Sequence, residues 1–150
     1  MQPLFENTWV QTDRGVRIFL LTGTKRALVV DTGMTGLDIR ALVSPHTDLP
    51  PEVLCTHADR DHIAGNSQFP FVYLHPSEAA FYHRSAPGAP IRPVFAGDVI
   101  DLGERALEIV HLPGTRPAAS RCWTGKTGVS SAATPFRRTG IFLCSASSGI

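Results

Sequence analysis

Residues Thr56 to His62 read Thr-His-Ala-Asp-Arg-Asp-His, two imidazoles and two carboxylates directly after the apolar run Val53-Leu54-Cys55. Neutral imidazole nitrogen and carboxylate oxygen are the donors that a divalent zinc or iron site takes. On extended backbone, side chains two apart share a face, so His57 and Asp59 can converge on one ion. Asp61 and His62 are adjacent and splay apart, which suits a turn with a second ion beside the first. The competing reading is a polar turn with solvated charges and a histidine capping a helix. A lone His-x-Asp would favour that reading; four donors packed this closely behind a buried strand favour metal.

The rest of the chain supplies a scaffold for such a strand end. Val16 to Leu21 and Ala27 to Val30 are apolar, β-branched runs separated by Thr22-Gly23-Thr24-Lys25-Arg26, the pattern of a β-hairpin. Asp31-Thr32-Gly33 then turns the chain. Gly36 to Val43 places Leu37, Ala41 and Leu42 at amphipathic spacing and predicts a short helix. Val53 to Cys55 and Phe71 to Leu74 predict strands, Ile63-Ala64 the first turn of a helix, and Glu78 to His83 a further helix. Val94 to Asp98, Val99 to Leu102 and Ala106 to His111 predict a strand-rich finish. Strands first, then alternating helix and strand, mean an α/β fold with a mixed sheet.

Thr56 to His62 resembles the Thr-His-x-His-x-Asp-His signature of the metallo-β-lactamase-fold superfamily, and Ile63-Ala64-Gly65-Asn66 resembles its usual sequel. Val29-Val30-Asp31-Thr32-Gly33 resembles the family's early Asp-Thr-Gly turn, Gly97 to Gly103 its late hairpin, and His111-Leu112-Pro113-Gly114 the approach to its next ligand loop. The resemblance spans residues 8–114 in order. It implies an αββα sandwich, here incomplete, with the first half and the late hairpin present. It also implies a metal-dependent hydrolase in which a hydroxide shared by two ions attacks an ester, thioester, lactam or phosphoester of a small molecule. By that resemblance His57 and Asp59 serve the first ion, and Asp61 and His62 the second. Asp61 also orients the hydroxide, which makes it the catalytic candidate. Asp31 stands behind the ligands and fixes their orientation. The expected cofactor is zinc, one or two ions, with iron or manganese as the alternatives.

Two departures qualify the implication. The family usually has histidine where this chain has Asp59, and it places a third histidine directly after Pro-Gly, where this chain has Thr115. His111 lies four residues earlier and is expected beside the site rather than as a ligand. Residues 1–114 carry nine basic and thirteen acidic side chains, whereas residues 115–150 carry five basic and none acidic, and no histidine. The expected division is therefore a domain over 1–114 and an atypical basic tail over 115–150. Codons compatible with Gly114 to Ala118, shifted by one nucleotide inserted after codon 114, read Gly-His-Thr-Pro-Gly. Those compatible with Gly128 to Pro135 yield Cys-Leu-Ile-Ser-Gly-Asp. A lost nucleotide near codon 115 is thus the expected origin of the tail, with an impaired or inert remnant of the hydrolase as its consequence. Poor solubility or partner-dependent folding is expected to accompany it.

Other features set bounds. Val29 to Gly33 also resembles the Asp-Thr-Gly loop of retropepsin-like aspartic proteases, a reading that leaves the His57–His62 cluster unexplained. Cys55 reads as a small buried hydrophobe, Arg60 as a solvated loop residue and His75 and His83 as solvent-facing. A net charge of +1 gives no reason to expect nucleic acid or an acidic membrane as partner. No apolar run nears the roughly 20 residues needed to span a bilayer. Three scattered cysteines form no disulfide set, and the expected compartment is the cytoplasm. Oligomeric state is not legible.

Overall fold

The computed structural model describes residues 1–85 and 88–110 in full and the backbone of 111 and 120–123. Strands β1 (Gln2–Phe5), β2 (Thr8–Asp13), β3 (Val16–Thr22) and β4 (Ala27–Val30) form an antiparallel meander. From β4 onward the chain adds parallel strands β5 (Pro51–Leu54), β6 (Val72–Leu74) and β7 (Ile91–Pro93). The result is a seven-stranded mixed sheet whose spatial order follows chain order. Helices α1 (Ile39–Val43), α2 (Arg60–Ile63) and α3 (Ala79–Ser85) occupy the connections between the parallel strands. A second, antiparallel sheet holds β8 (Val99–Asp101), β9 (Ala106–His111) and β10 (Ser120–Trp123), with β9 in the middle.

The alternation of side chains along each strand divides the interior into two cores. Ala27 and Val29 of β4, Val53 of β5 and Val72 and Leu74 of β6 pack with Ile39, Val43, Ile63 and Tyr82 from the helices. Leu28 and Val30, Leu54 and Tyr73 point the other way and meet Ile100, Leu107 and Ile109 of the second sheet and Leu102 of the turn between β8 and β9. Strand β4, the Val53–Leu54 end of β5 and β6 are thus covered on both faces, which is why these stretches read as unbroken apolar runs rather than as alternating ones. The order of layers is helices, large sheet, small sheet, an α/β sandwich lacking an outer helical layer among the described residues.

Several elements differ from the sequence expectation for identifiable reasons. β1 and β2 were not anticipated: every residue of β1 is exposed, so it carries no apolar alternation to read. α1 begins at Ile39 rather than Gly36, because Gly36 sits at φ +70° and Asp38 caps the helix by accepting from the Ala41 amide at 2.9 Å. Ile63 ends α2 instead of beginning a helix. Val94 to Asp98 is not a strand. There the Asp98 amide bonds the Phe95 carbonyl at 3.1 Å and the Asp98 carboxylate accepts from the Phe95 amide at 2.8 Å, closing a turn. Ser120–Trp123, from beyond the expected boundary at Gly114, pairs with β9 in the register Ser120↔His111 to Trp123↔Glu108. The rest of the expected tail, with Thr115 and Cys144, lies outside the described residues.

Asp13, at the end of β2, ties the meander to the turn that follows β4. Its Oδ2 accepts from the Met34 and Thr35 amides, each at 2.8 Å, and its Oδ1 accepts from the Thr35 hydroxyl at 2.8 Å. Burial pushes the Asp13 carboxyl up, but these donors and the Arg14 charge outweigh it and hold the group below its ordinary value. A carboxyl lowered in the folded state adds stability above its unfolded pKa, near 3.9, and loses it as pH falls through the lowered folded value. Asp13→Ala is therefore expected to cost about 1–3 kcal/mol near neutral pH and to flatten the acid limb. Urea midpoints measured from pH 7 down to pH 2 check both; an unchanged acid limb would remove Asp13 from this role.

Candidate metal centre

β4 and β5 run parallel and end side by side, so the loops leaving them share one crevice at the carboxyl edge of the sheet. Asp31 follows β4 directly and adopts φ +59°, a left-handed conformation that a short polar side chain tolerates better than most. Gly33, two residues on, sits at φ +77°, and a Cβ there would lie 2.6 Å from Asp13 Oδ2 and 2.8 Å from Ile18 Cδ1. The Asp-Thr-Gly turn thus needs glycine at its third position both for backbone conformation and for space.

The turn delivers a buried carboxylate to the start of the polar segment. Asp31, 4% exposed, accepts from the Thr56 amide at 2.7 Å through Oδ1. Its Oδ2 accepts from the Thr56 hydroxyl at 2.7 Å and lies 2.8 Å from His62 Nδ1. An ionised carboxylate only accepts, so His62 Nδ1 carries the proton in that contact. The Thr56 hydroxyl has spent its single proton on Asp31, so at 2.9 Å from His57 Nδ1 it accepts, and His57 is also protonated on Nδ1. One carboxylate therefore sets the tautomer of both neutral rings, His62 directly and His57 through Thr56. Both Nε2 lone pairs are left for another partner.

Those two nitrogens lie among the remaining donors. His57 Nε2 is 3.4 Å from Asp59 Oδ2, and His62 Nε2 is 3.6 Å from Asp61 Oδ2. The two ring centroids are 4.1 Å apart. Burial disfavours the charged His62 ring, but the hydrogen bond and charge of Asp31, then Asp61 and Asp59, outweigh it and raise the affinity of His62 for a proton. The donor set suits a divalent cation in kind. It is short in number: among the described residues no three His, Cys, Asp or Glu side chains converge as a metal-binding group.

The other residues singled out in the sequence fall into place around this cluster. Arg60 is exposed on α2, pointing to solvent. Cys55 is fully buried in the helix-side core; burial, then the Asp31 charge, push its thiol well up, so it stays neutral. His83 is exposed, whereas His75 is half-buried, its ring 5.7 Å from that of Phe95. The side chain of His111 lies outside the described residues.

Three supporting residues were not singled out. The Thr32 amide bonds the His62 carbonyl at 2.8 Å, and the Thr32 hydroxyl donates to Asn66 Oδ1 at 2.6 Å. Asn66 in turn donates to Cys55 Sγ at 3.2 Å. Glu78, with no exposed surface, accepts from the Ala58 amide at 3.0 Å. Thr32 and Asn66 belonged to recognised stretches, but nothing local marked Glu78.

A sequence model described as the metallo-beta-lactamase superfamily matches residues 12–130. The chain belongs to the metallo-beta-lactamase superfamily. The match continues past Gly114, across the stretch that pairs as β10. Among curated proteins, the chain is 35% identical to the hydroxyacylglutathione hydrolase of Hahella chejuensis, over 75% of this chain and 40% of that protein. It is 29% identical to the acyl-coenzyme A thioesterase MBLAC2 of Gallus gallus, over 71% of this chain and 54% of that protein. Among solved structures, the MIM-2 metallo-beta-lactamase superposes with a TM-score of 0.66 at 23% identity, covering 78% of this chain and 53% of its own. The Rm3 metallo-beta-lactamase gives 0.65 at 20% identity over the same shares. The chain thus spans about half the length of these relatives or less. Membership also removes the aspartic-protease reading of Asp31, whose oxygens are committed to Thr56 and His62 rather than to a second aspartate.

The tautomer argument has a direct check. In metal-free protein at a pH where the rings are neutral, ¹⁵N chemical shifts should show His57 protonated on Nδ1. Thr56→Val keeps the shape but removes the hydroxyl, so His57 should lose that preference. Stability should fall by about 1–3 kcal/mol, because buried partners are left unmatched. A His57 ring already protonated on Nε2 in the wild-type protein would contradict the relay.

Proposed function

We propose that this chain carries one half of the metal centre of a metal-dependent hydrolase, with His57, Asp59, Asp61 and His62 as the ligands it contributes. The observation that supports the reading is the buried Asp31 carboxylate, which bonds His62 Nδ1 directly and His57 Nδ1 through Thr56 and so leaves Nε2 as the available nitrogen on two rings whose centroids lie 4.1 Å apart. Ligating histidines characteristically use their other nitrogen in this way. Zinc suits the imidazole and carboxylate donors, and the carboxylate of Asp59 makes the set harder than an all-histidine one. When bound, such an ion acts as a Lewis acid that acidifies water and polarises the scissile carbonyl.

The chain's own residues supply orientation and proton handling. Asp31 and Thr56 hold His57 and His62 in the ligating tautomer, and to Asp61, on the first turn of α2 and 3.6 Å from His62 Nε2, we assign the role of orienting the attacking water and accepting its proton. The substrate class we propose is a small thioester, by analogy with relatives named for acyl-coenzyme A and hydroxyacylglutathione hydrolysis. Among the described residues no helix is long and apolar enough to cross a membrane; the cytoplasm remains our proposed location.

We further propose that residues 1–150 alone are impaired. Beyond His111 the sequence holds no Asp, Glu or His, so two ligands per ion stand where catalytic zinc ordinarily has three. A nucleotide lost near codon 115 accounts for this composition, and the coding DNA tests it: absence of the codons required at Gly114 to Ala118 disproves it. Metal content by mass spectrometry, on this chain beside one with the frame restored, tests the half-site. About two ions in the restored protein alone are expected, together with thioester hydrolysis. Equal loading of both would mean that the four residues suffice or recruit His111, and the chain would then be assayed as a working enzyme. In whichever protein binds metal, Asp31→Ala should weaken zinc affinity roughly 10–100-fold; unaltered affinity would count against the centre as drawn.

A further inference from the structure

Glu78 is the one acidic side chain with no exposed surface, and the functional reading above leaves it without a task. It ends the short 3-10 turn Pro76–Glu78 that follows β6, on the opposite side of the Thr56–His62 segment from Asp31 in chain order. Its Oε2 accepts the Ala58 amide at 3.0 Å, while its Oε1 is buried with no hydrogen-bond partner among the described residues. Leaving a buried carboxylate oxygen unmatched opposes folding. A core position filled for packing alone would be better served by an apolar side chain.

The bond it does make falls at a particular place. Ala58 lies between His57 and Asp59 and is itself buried, so its amide cannot turn to water. Asp31 fixes the segment at Thr56 and at His62, leaving the backbone between His57 and Asp59 without an anchor from that side. On extended backbone a rotation of the Ala58 peptide would swing the side chains on either side of it apart. We infer that Glu78 is a positioning residue: by holding the Ala58 amide it fixes the backbone from which His57 and Asp59 converge. This rests on the proposed ligand role of those two residues.

Two substitutions separate positioning from packing. Glu78→Gln keeps an oxygen to accept the Ala58 amide and removes the charge. Glu78→Leu fills similar volume, removes the unmatched oxygen and leaves the Ala58 amide without an acceptor. Amide hydrogen exchange of metal-free protein should show Ala58 protected in wild type and in Glu78→Gln, and exchanging faster in Glu78→Leu. Cobalt(II) titrated into the frame-restored form of each protein, followed by its visible absorption, should bind roughly 10-fold more weakly to Glu78→Leu and unchanged to Glu78→Gln. Wild-type Ala58 protection and cobalt affinity in the leucine variant would overturn the inference. So would loss of cobalt from the glutamine variant with Ala58 still protected, since the charge would then matter and not the hydrogen bond. If the leucine variant does not fold, the glutamine variant still decides on that second criterion. Failure of the frame-restored protein with Glu78 intact to take up cobalt would overturn the metal reading instead, and the inference would then be judged on Ala58 exchange alone.

Discussion

The Asp31 carboxylate is the contact on which the site depends. Strand β4 and the buried Val53–Leu54 end of β5 finish beside one another, and the first polar groups beyond each end are Asp31 and Thr56. An ionised carboxylate this deeply buried is tolerable only if its lone pairs are taken. Here one amide, one hydroxyl and one imidazole take them. The same three bonds that make the charge tolerable register the end of β5 against β4 and orient both rings. Stability and site geometry are therefore not separable at this position. The left-handed backbone of Asp31 and the glycine requirement at Gly33 are the local strain that brings the carboxylate there.

The sandwich explains why such a polar cluster can sit at the end of an apolar strand. A sheet packed on both faces offers side chains no route to water except at the strand ends, so the groups that must stay polar collect in the connecting loops. At the carboxyl edge those loops inherit the rigidity of the strands behind them. Short helices then hold the far ends of the loops: α2 presents Asp61 and His62 from one turn, and the Thr32 amide bonds the His62 carbonyl to keep that turn against β4. The ligand-type residues thus come from a segment with anchors at both ends rather than from a free loop.

How much of this was legible follows from how local each signal is. The paired β3–β4 hairpin, the β5 strand and the donor cluster are contiguous in sequence, and their patterns were readable as they stand. Asp31 became readable through the Asp-Thr-Gly resemblance, although its partner His62 is thirty-one positions away. β1 escaped because an exposed edge strand imposes no apolar pattern, and the turn at Phe95 to Asp98 mimics strand composition until a side chain closes it. Glu78 escaped for a different reason. Its partner amide is twenty residues distant, and its meaning depends on a crossover that brings the end of β6 under the segment after β5. Tertiary satisfaction of a single backbone group leaves no periodicity behind.

The geometry also separates two properties that a metal site needs, orientation and number of donors. Orientation is well supplied: the rings are fixed in tautomer, their centroids lie 4.1 Å apart, and each Nε2 already faces a carboxylate. Number is not supplied within the described residues. Preorganisation lowers the cost of assembling donors that exist, but it cannot stand in for a missing bond to the ion. On the proposed assignment, two donors for each ion would leave its other positions to be filled from elsewhere. The affinity of such a centre would then be governed by how many further ligands the rest of the protein brings, and only secondarily by how rigidly these four are held. A shortfall of this kind is therefore not repaired by stiffening the segment between Thr56 and His62. On the proposed reading it would be repaired by donors arriving from elsewhere in the fold, and the crevice at the carboxyl edge of β4 and β5 is the place they would have to reach.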